Sequence, residues 1–159
     1  MQSHSISALK HLDATELHQW MKQGHTQLGQ PFQVVDVRGS DHIGGHIKGS
    51  WNYPYKTLKN DLDYLNKLRQ ELLKKSETEA ATKTGAPTEG DEPAVINCVF
   101  HCALSQQRGP SSAMLFLRSI PEFQLNRFQI WVLKGGFNYW QSKYGLDETV
   151  TESYKPDLW

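Results

Sequence analysis

A chain of 159 residues is long enough for one domain with its own core. It carries 17 Lys plus Arg against 17 Asp plus Glu, so its formal charge is zero and it offers no basic surface for a nucleic acid. No apolar run approaches the roughly 20 residues that span a bilayer, the N-terminus has no signal-peptide core, and the two cysteines form neither a zinc pattern nor a disulfide framework. These features lead to the expectation of a protein of the cytosol, or also the nucleus, with no metal, no cofactor, no nucleic-acid partner and no membrane partner.

Residues 1–5 are polar, and 6–12 read as a short edge strand. Asp13-Ala14-Thr15-Glu16 reads as a capping box. It opens a helix with Leu17, Trp20 and Met21 at helical spacing and Gly24 as its stop. His11, His18 and His25 read as solvated positions, not as a metal cluster. Residues 32–37 are β-rich and read as a central strand. Asp36 and Arg38 lie at its C-terminal end, the edge at which open parallel sheets bind ligands. They read as an ion pair that orders the following loop, because an anion site gains little from a nearby carboxylate. Gly44, Gly45 and Gly49 mark a tight connection to a short strand at Trp51-Asn52-Tyr53.

The spacing of Leu62, Leu65, Leu68, Leu72 and Leu73 predicts a long helix over 60–75. From 76 to 93 apolar side chains all but vanish, and the stretch reads as a flexible loop inserted into the domain. Residues 94–100 are apolar enough for a strand buried on both faces. A helix is expected over 111–120, a short one over 121–127, and the last strand over 128–133. Lys134-Gly135-Gly136 then turns into a helix carrying Phe137, Trp140 and Tyr144, and the tail 147–159 is expected to wrap the surface, pinned by Tyr154 and Trp159. Strands alternating with helices indicate an α/β fold with a mostly parallel sheet.

Between the buried strand and the helix after it runs His101-Cys102-Ala103-Leu104-Ser105-Gln106-Gln107-Arg108-Gly109-Pro110. A loop that enters a helix N-terminus can point successive backbone N–H groups at one centre, and the helix dipole adds positive potential. Pro110 fits the first helical turn. Arg108 brings a planar fork of donors suited to a tetrahedral oxyanion. Amides, dipole and Arg108 together favour a thiolate at Cys102. The pattern aims a nucleophile at a bound anion.

This loop resembles the signature of the rhodanese-fold phosphatases, the cell-division-cycle-type phosphatases and their small arsenate-reductase relatives, and most closely the small fungal members. Asp36-Val37-Arg38, the run from Gly45 to Ser50, and Asn52 resemble the family's first signature. Val132-Leu133-Lys134-Gly135-Gly136 followed by Trp140 resembles its last. The resemblance covers nearly the whole chain. It implies a rhodanese-like single domain over 1–159, with a mostly parallel central sheet flanked by helices on both sides. It also implies that His46 packs and hydrogen-bonds rather than catalyses.

Sulfurtransferases of this fold usually carry a loop one residue shorter, and the longer loop here leaves room for phosphate or arsenate. Cys102 is expected to attack phosphorus, with Ala103, Leu104, Ser105, Gln106, Gln107, Arg108 and Gly109 holding the oxyanion and His101, Asp36 and Arg38 supporting the loop. Catalysis then rests on Cys102 and Arg108, and the substrate is a phosphorylated protein or a small aryl phosphate. The five residues inside the loop include no carboxylate. Asp36 and Asp41 are the substitutes available as general acid, and neither is tied by sequence to the leaving group. An arsenate reductase drawing on glutathione or glutaredoxin, and a non-catalytic oxyanion-binding module, are the alternatives. Cys98 lies about 13 Å up an extended strand, beyond the ~7 Å that a disulfide allows, and reads as a core cysteine.

Overall fold

The computed structural model describes residues 9–39, 44–84, 95–103 and 108–158. Five strands form the main sheet: β1 (Leu9–Leu12), β2 (Phe32–Asp36), β4 (Trp51–Asn52), β5 (Ile96–His101) and β6 (Phe128–Leu133). Their order is β1-β6-β5-β2-β4, and every pairing is parallel. A second, two-stranded antiparallel sheet joins β3 (His46–Ile47) to β7 (Thr151–Glu152). The helices are α1 (Ala14–Gln23), α2 (Tyr55–Asn60), α3 (Leu62–Thr84), α4 (Arg108–Ser119) and α5 (Gly136–Tyr144), with 3-10 turns at Glu122–Arg127 and Pro156–Leu158. No helix among the described residues is long and apolar enough to cross a membrane.

Side chains alternate across a strand, and β5, buried at every position, feeds both faces of the sheet. Ile96, Cys98 and Phe100 pack with Leu58 of α2, Leu65, Leu68 and Leu72 of α3, and Phe116 and Leu117 of α4. Val99 faces the other way, into Leu17 and Trp20 of α1 and Phe137 and Trp140 of α5. The sheet is thus covered on both sides, which explains why its central strand reads as a largely apolar run, with the buried Asn97 inside it.

Four sequence expectations change. The inserted loop does not begin at residue 76: α3 continues to Thr84, and residues 85–94 lie outside those described. Ser76 is fully buried and extends the Leu65, Leu68, Leu72 spacing by another turn. Glu, Ala and Lys over this stretch are good helix formers despite being polar or small. The single helix expected from residue 60 is two helices, broken at Asp61, whose backbone is extended. Asp61 then opens α3, its carbonyl accepting from Leu65 N–H at 3.2 Å and its Oδ1 from Tyr64 N–H at 3.2 Å. Leu62 is not part of the stripe; it is 67% exposed. Asp13 does sit at the start of α1, but its side chain makes no capping bond and lies 3.4 Å from Lys134 Nζ instead.

The tail is tied down through α5. Trp140 Nε1 donates to Thr151 Oγ1 at 2.9 Å, Thr151 Oγ1 to Tyr144 O at 2.8 Å, and the Tyr154 hydroxyl to the Gln141 carboxamide. Trp159 lies outside the described residues. His18 stacks on Tyr144 with ring centroids 4.3 Å apart and faces Asp147 at 3.7 Å, whereas His25 bonds to Thr26 O; the two do not converge.

The packing makes a direct prediction for α3. Leu68→Ala should lower unfolding free energy by about 2–5 kcal/mol, and Leu62→Ala by less than about 0.5 kcal/mol. Urea unfolding of the two variants measures the difference, and equal effects would contradict the assigned face.

Candidate active site

Parallel pairing brings the C-terminal ends of β2 and β5 side by side, with Asp36 opposite His101 in the register. Beyond Asp36 the chain turns back so that Arg38 clasps it. Arg38 Nη2 donates to Asp36 Oδ2 at 2.7 Å, Nε to Oδ1 at 3.0 Å, and the Arg38 backbone N–H to Oδ1 at 3.0 Å. Both side chains are fully buried. Arg38 Nη2 also donates to Gly45 O at 2.8 Å, and the guanidinium lies over the Phe137 ring, 4.4 Å from its centroid. Asn52 Nδ2 donates to the carbonyls of Asp36 and Arg38 at 3.0 and 2.9 Å, locking the backbone of the turn. His101 Nε2 is 3.9 Å from Asp36 Oδ2. Burial alone would raise the Asp36 carboxyl, but attraction from His101 and the Arg38 bonds outweigh it and hold the group below its ordinary value.

Cys102 follows His101 directly and is 3% exposed. His101 Nδ1 contacts the Cys102 carbonyl at 3.1 Å. The same carbonyl accepts from Phe137 N–H at 2.9 Å, and Ala103 O accepts from Asn138 N–H at 2.8 Å. The first turn of α5 is therefore bolted to the start of the loop. Gly136 makes this possible: its φ is +57°, and a Cβ there would lie 2.5 Å from the carbonyl oxygens of both Cys102 and Ala103.

Arg108, half-buried, is the first residue of α4, so that helix begins earlier than expected, at the arginine itself. Gly109 follows on its buried face. Leu104, Ser105, Gln106 and Gln107 lie outside the described residues, as does Asp41. Cys98 is wholly buried in the core against α3 and α4, burial pushes its thiol up, and it is in no disulfide. His46 pairs β3 with β7 and sits 3.6 Å from Glu152 Oε1. Among the described residues no group of three or more His, Cys, Asp or Glu side chains could hold a metal ion.

Sequence reasoning missed three contributors: the Gly45 carbonyl, the Phe137 ring and the amides of Phe137 and Asn138. For the amides alone, the paired glycines before Phe137 were the available signal, since one of them has to admit a close backbone approach.

Residues 13–143 match the family described as Rhodanese-like domain. The chain is 54% identical over 160 residues to the CDC25-like phosphatase YCH1 of Saccharomyces cerevisiae, covering 100% of this chain and 99% of that protein. It is 30% identical over 112 residues to Arsenical-resistance protein 2 of the same yeast, covering 70% and 75%. Among solved structures it is similar to Ygr203w, described as a yeast protein tyrosine phosphatase of the Rhodanese family, with a TM-score of 0.85 and 53% identity over 98% of this chain and 99% of that one.

Asp36→Asn should destabilise the fold by about 3–5 kcal/mol, because Arg38 would be left buried without its counter-charge. A depressed carboxyl contributes stability that is present above its unfolded value, near pH 4, and is lost as pH falls through the lower folded value. The variant should therefore lose that part of the acid-side decline. Unfolding free energy measured from pH 7 to pH 2 checks both points, and a variant as stable as wild type at pH 7 would contradict them.

Proposed function

The chain belongs to the rhodanese-like family, and we propose that it uses that fold as a cysteine-dependent phosphatase acting on phosphotyrosine and other aryl phosphate monoesters. Its five-stranded parallel sheet with helices on both faces is the rhodanese fold. The observation that carries the proposal is the order of parts at the sheet edge. A buried strand delivers Cys102, and the next helix opens on Arg108 after the five residues an oxyanion loop needs. The Cys102 thiolate attacks phosphorus in line. The loop amides from Ala103 to Gly109 and the Arg108 guanidinium take the charge on the equatorial oxygens. The aryl alcohol leaves, and water then hydrolyses the thiophosphate. The similarity to a yeast phosphatase along the whole chain supports this reading.

Leaving-group chemistry narrows the substrate. Asp36 is clamped by Arg38 and held ionised, so it has no proton to give. The loop itself contains no carboxylate. With neither Asp36 nor the loop supplying a proton, alkyl phosphates turn over slowly, whereas phenolic groups depart without full protonation. A phosphorylated protein or a small aryl phosphate fits these requirements. Two cysteines outside any disulfide fit a reducing compartment, cytosol or nucleus.

Arsenate reduction is the second reading, favoured by the similarity to a yeast arsenical-resistance protein. Cys98 cannot serve as the second thiol, being wholly buried and four residues up the strand. An arsenate adduct on Cys102 would therefore be reduced by glutathione or glutaredoxin.

Hydrolysis of p-nitrophenyl phosphate should fall to background in Cys102→Ser, drop by about 10²–10³-fold in Arg108→Lys and persist in Cys98→Ser. Full activity in Cys102→Ser would end the proposal. Phosphotyrosine peptides should be cleaved about 10²-fold faster than phosphoserine peptides, and comparable rates would refute the leaving-group argument.

A further inference from the structure

The N-terminal ends of the strands, the end of the sheet away from Cys102, carry a cavity of about 250 Å3. Asn97, the second residue of β5, lines it, so about 16 Å of extended strand separate it from Cys102. Two indole groups also line it, Trp20 from α1 and Trp131 from β6. An indole N–H donates and never accepts, and this sets the orientation of three carboxamides. Trp131 Nε1 donates to Asn97 Oδ1 at 3.0 Å. The Asn97 amide nitrogen then donates in turn, to Gln30 Oε1 at 3.0 Å and to Pro31 O at 3.1 Å. Trp20 Nε1 donates to Gln27 Oε1 at 2.8 Å. Both glutamines commit their oxygens to the protein, and what they keep for the cavity they line is their N–H groups.

Lys10 lines the same cavity, its ammonium 5.6 Å from the centroid of the Trp131 ring. No Asp or Glu lines it among the described residues. The loop that bears both glutamines is closed on itself, with Thr26 N–H donating to Gln30 O at 2.9 Å and Gln30 N–H to Thr26 Oγ1 at 3.2 Å. The glutamines are thus positioned before any ligand arrives. Val95, Phe128 and Leu28 add apolar wall, and Leu28 is 75% exposed, an apolar surface that a ligand would cover. A carboxamide inside a doubly covered strand is costly to bury. Here Asn97 returns something for that cost, because it relays the Trp131 donor to Gln30 and so turns the Gln30 N–H groups outward from the network.

Three donor groups and one positive charge match an acceptor that carries one negative charge. A dianionic phosphate exceeds the single ammonium, and a neutral ligand leaves it unused. We propose that this cavity binds a small organic monocarboxylate. Its oxygens accept from Lys10 Nζ and from the Gln27 and Gln30 carboxamides, and its hydrocarbon part lies against Leu28, Val95 and Phe128. The site is separate from Cys102, and its occupancy does not depend on the phosphatase reading.

Benzoate is the probe and benzamide its neutral isostere, each titrated into the isotope-labelled full chain and followed by NMR through the indole and carboxamide N–H signals. Benzoate should shift the Trp20 and Trp131 indole signals saturably, with a Kd on the order of 1 mM, and benzamide should leave them in place. Gln27→Glu keeps an oxygen for Trp20 Nε1 but replaces the donor with a negative charge. Lys10→Met keeps an apolar stem beside Trp131 and removes the ammonium. Each should weaken benzoate by about 10-fold or more while the rest of the spectrum stays as in wild type. Lys10 is exposed, so Lys10→Met carries the test if Gln27→Glu folds poorly. No saturable shift with benzoate, equal shifts with benzamide, or undiminished affinity in the folded variants would overturn the proposal. Shifts confined to the amides around Cys102 would overturn it too, by assigning the carboxylate to the oxyanion loop.

Discussion

Arg38 and Asp36 face each other out of contact with solvent at the end of β2, one strand away from the residue that precedes Cys102. Taking two ions out of water costs several kcal/mol each, and their attraction offsets that cost only when geometry and accessory hydrogen bonds are good. Here the accessories come from around the site: the Gly45 carbonyl from the connection before β3, the Asn52 amide from β4 and the Phe137 ring from α5. The Gly45 carbonyl and the Phe137 ring are needed where they stand because Arg38 has no solvent to fall back on, and Asn52 fixes the backbone carbonyls of the pair. The pair thus converts a local ion contact into a constraint on four segments of the chain: the end of β2, the connection before β3, β4 and α5.

That constraint meets a second one at Cys102. From the β2 side His101 is held against the Asp36 carboxylate, and from the α5 side the carbonyls of Cys102 and Ala103 are taken up by the first-turn amides. The peptide units that open the loop are therefore fixed before any substrate binds, which is the preorganisation that oxyanion catalysis depends on. The same arrangement removes Asp36 from acid–base chemistry, because its charge is needed where it is. Structural support and the withdrawal of Asp36 from proton transfer are two consequences of one ion pair.

Much of this can be read from the chain itself. The strand before Cys102 is legible because a doubly covered parallel strand is mostly apolar, as Ile96, Cys98, Val99 and Phe100 are, and the Cys-x5-Arg spacing is legible because its parts are contiguous. The Asp36–Arg38 contact is also local, two residues apart at a strand end. What escapes is assembled from a distance. No pattern around Gly45 or Phe137 announces that they close over Arg38, and β3 and β7 are two residues each, too short to show a period. The end of α3 fails differently. Loss of apolar residues after Lys75 reads as loss of structure, yet one buried serine on the inner face and helix-forming neighbours continue the helix to Thr84. The break at Asp61 is invisible because leucines on both sides keep helical spacing across an extended residue.

The central claim is that Cys102 carries the phosphoryl group between substrate and water. Acid quenching during turnover of an aryl phosphate, followed by mass spectrometry of the peptide that contains Cys102, tests it most directly. The account predicts a phosphoryl group on the Cys102 sulfur, lost on standing in active enzyme and absent from Cys102→Ser. Steady turnover with that peptide unmodified at every quench time, or a phosphoryl group on another residue, would contradict it.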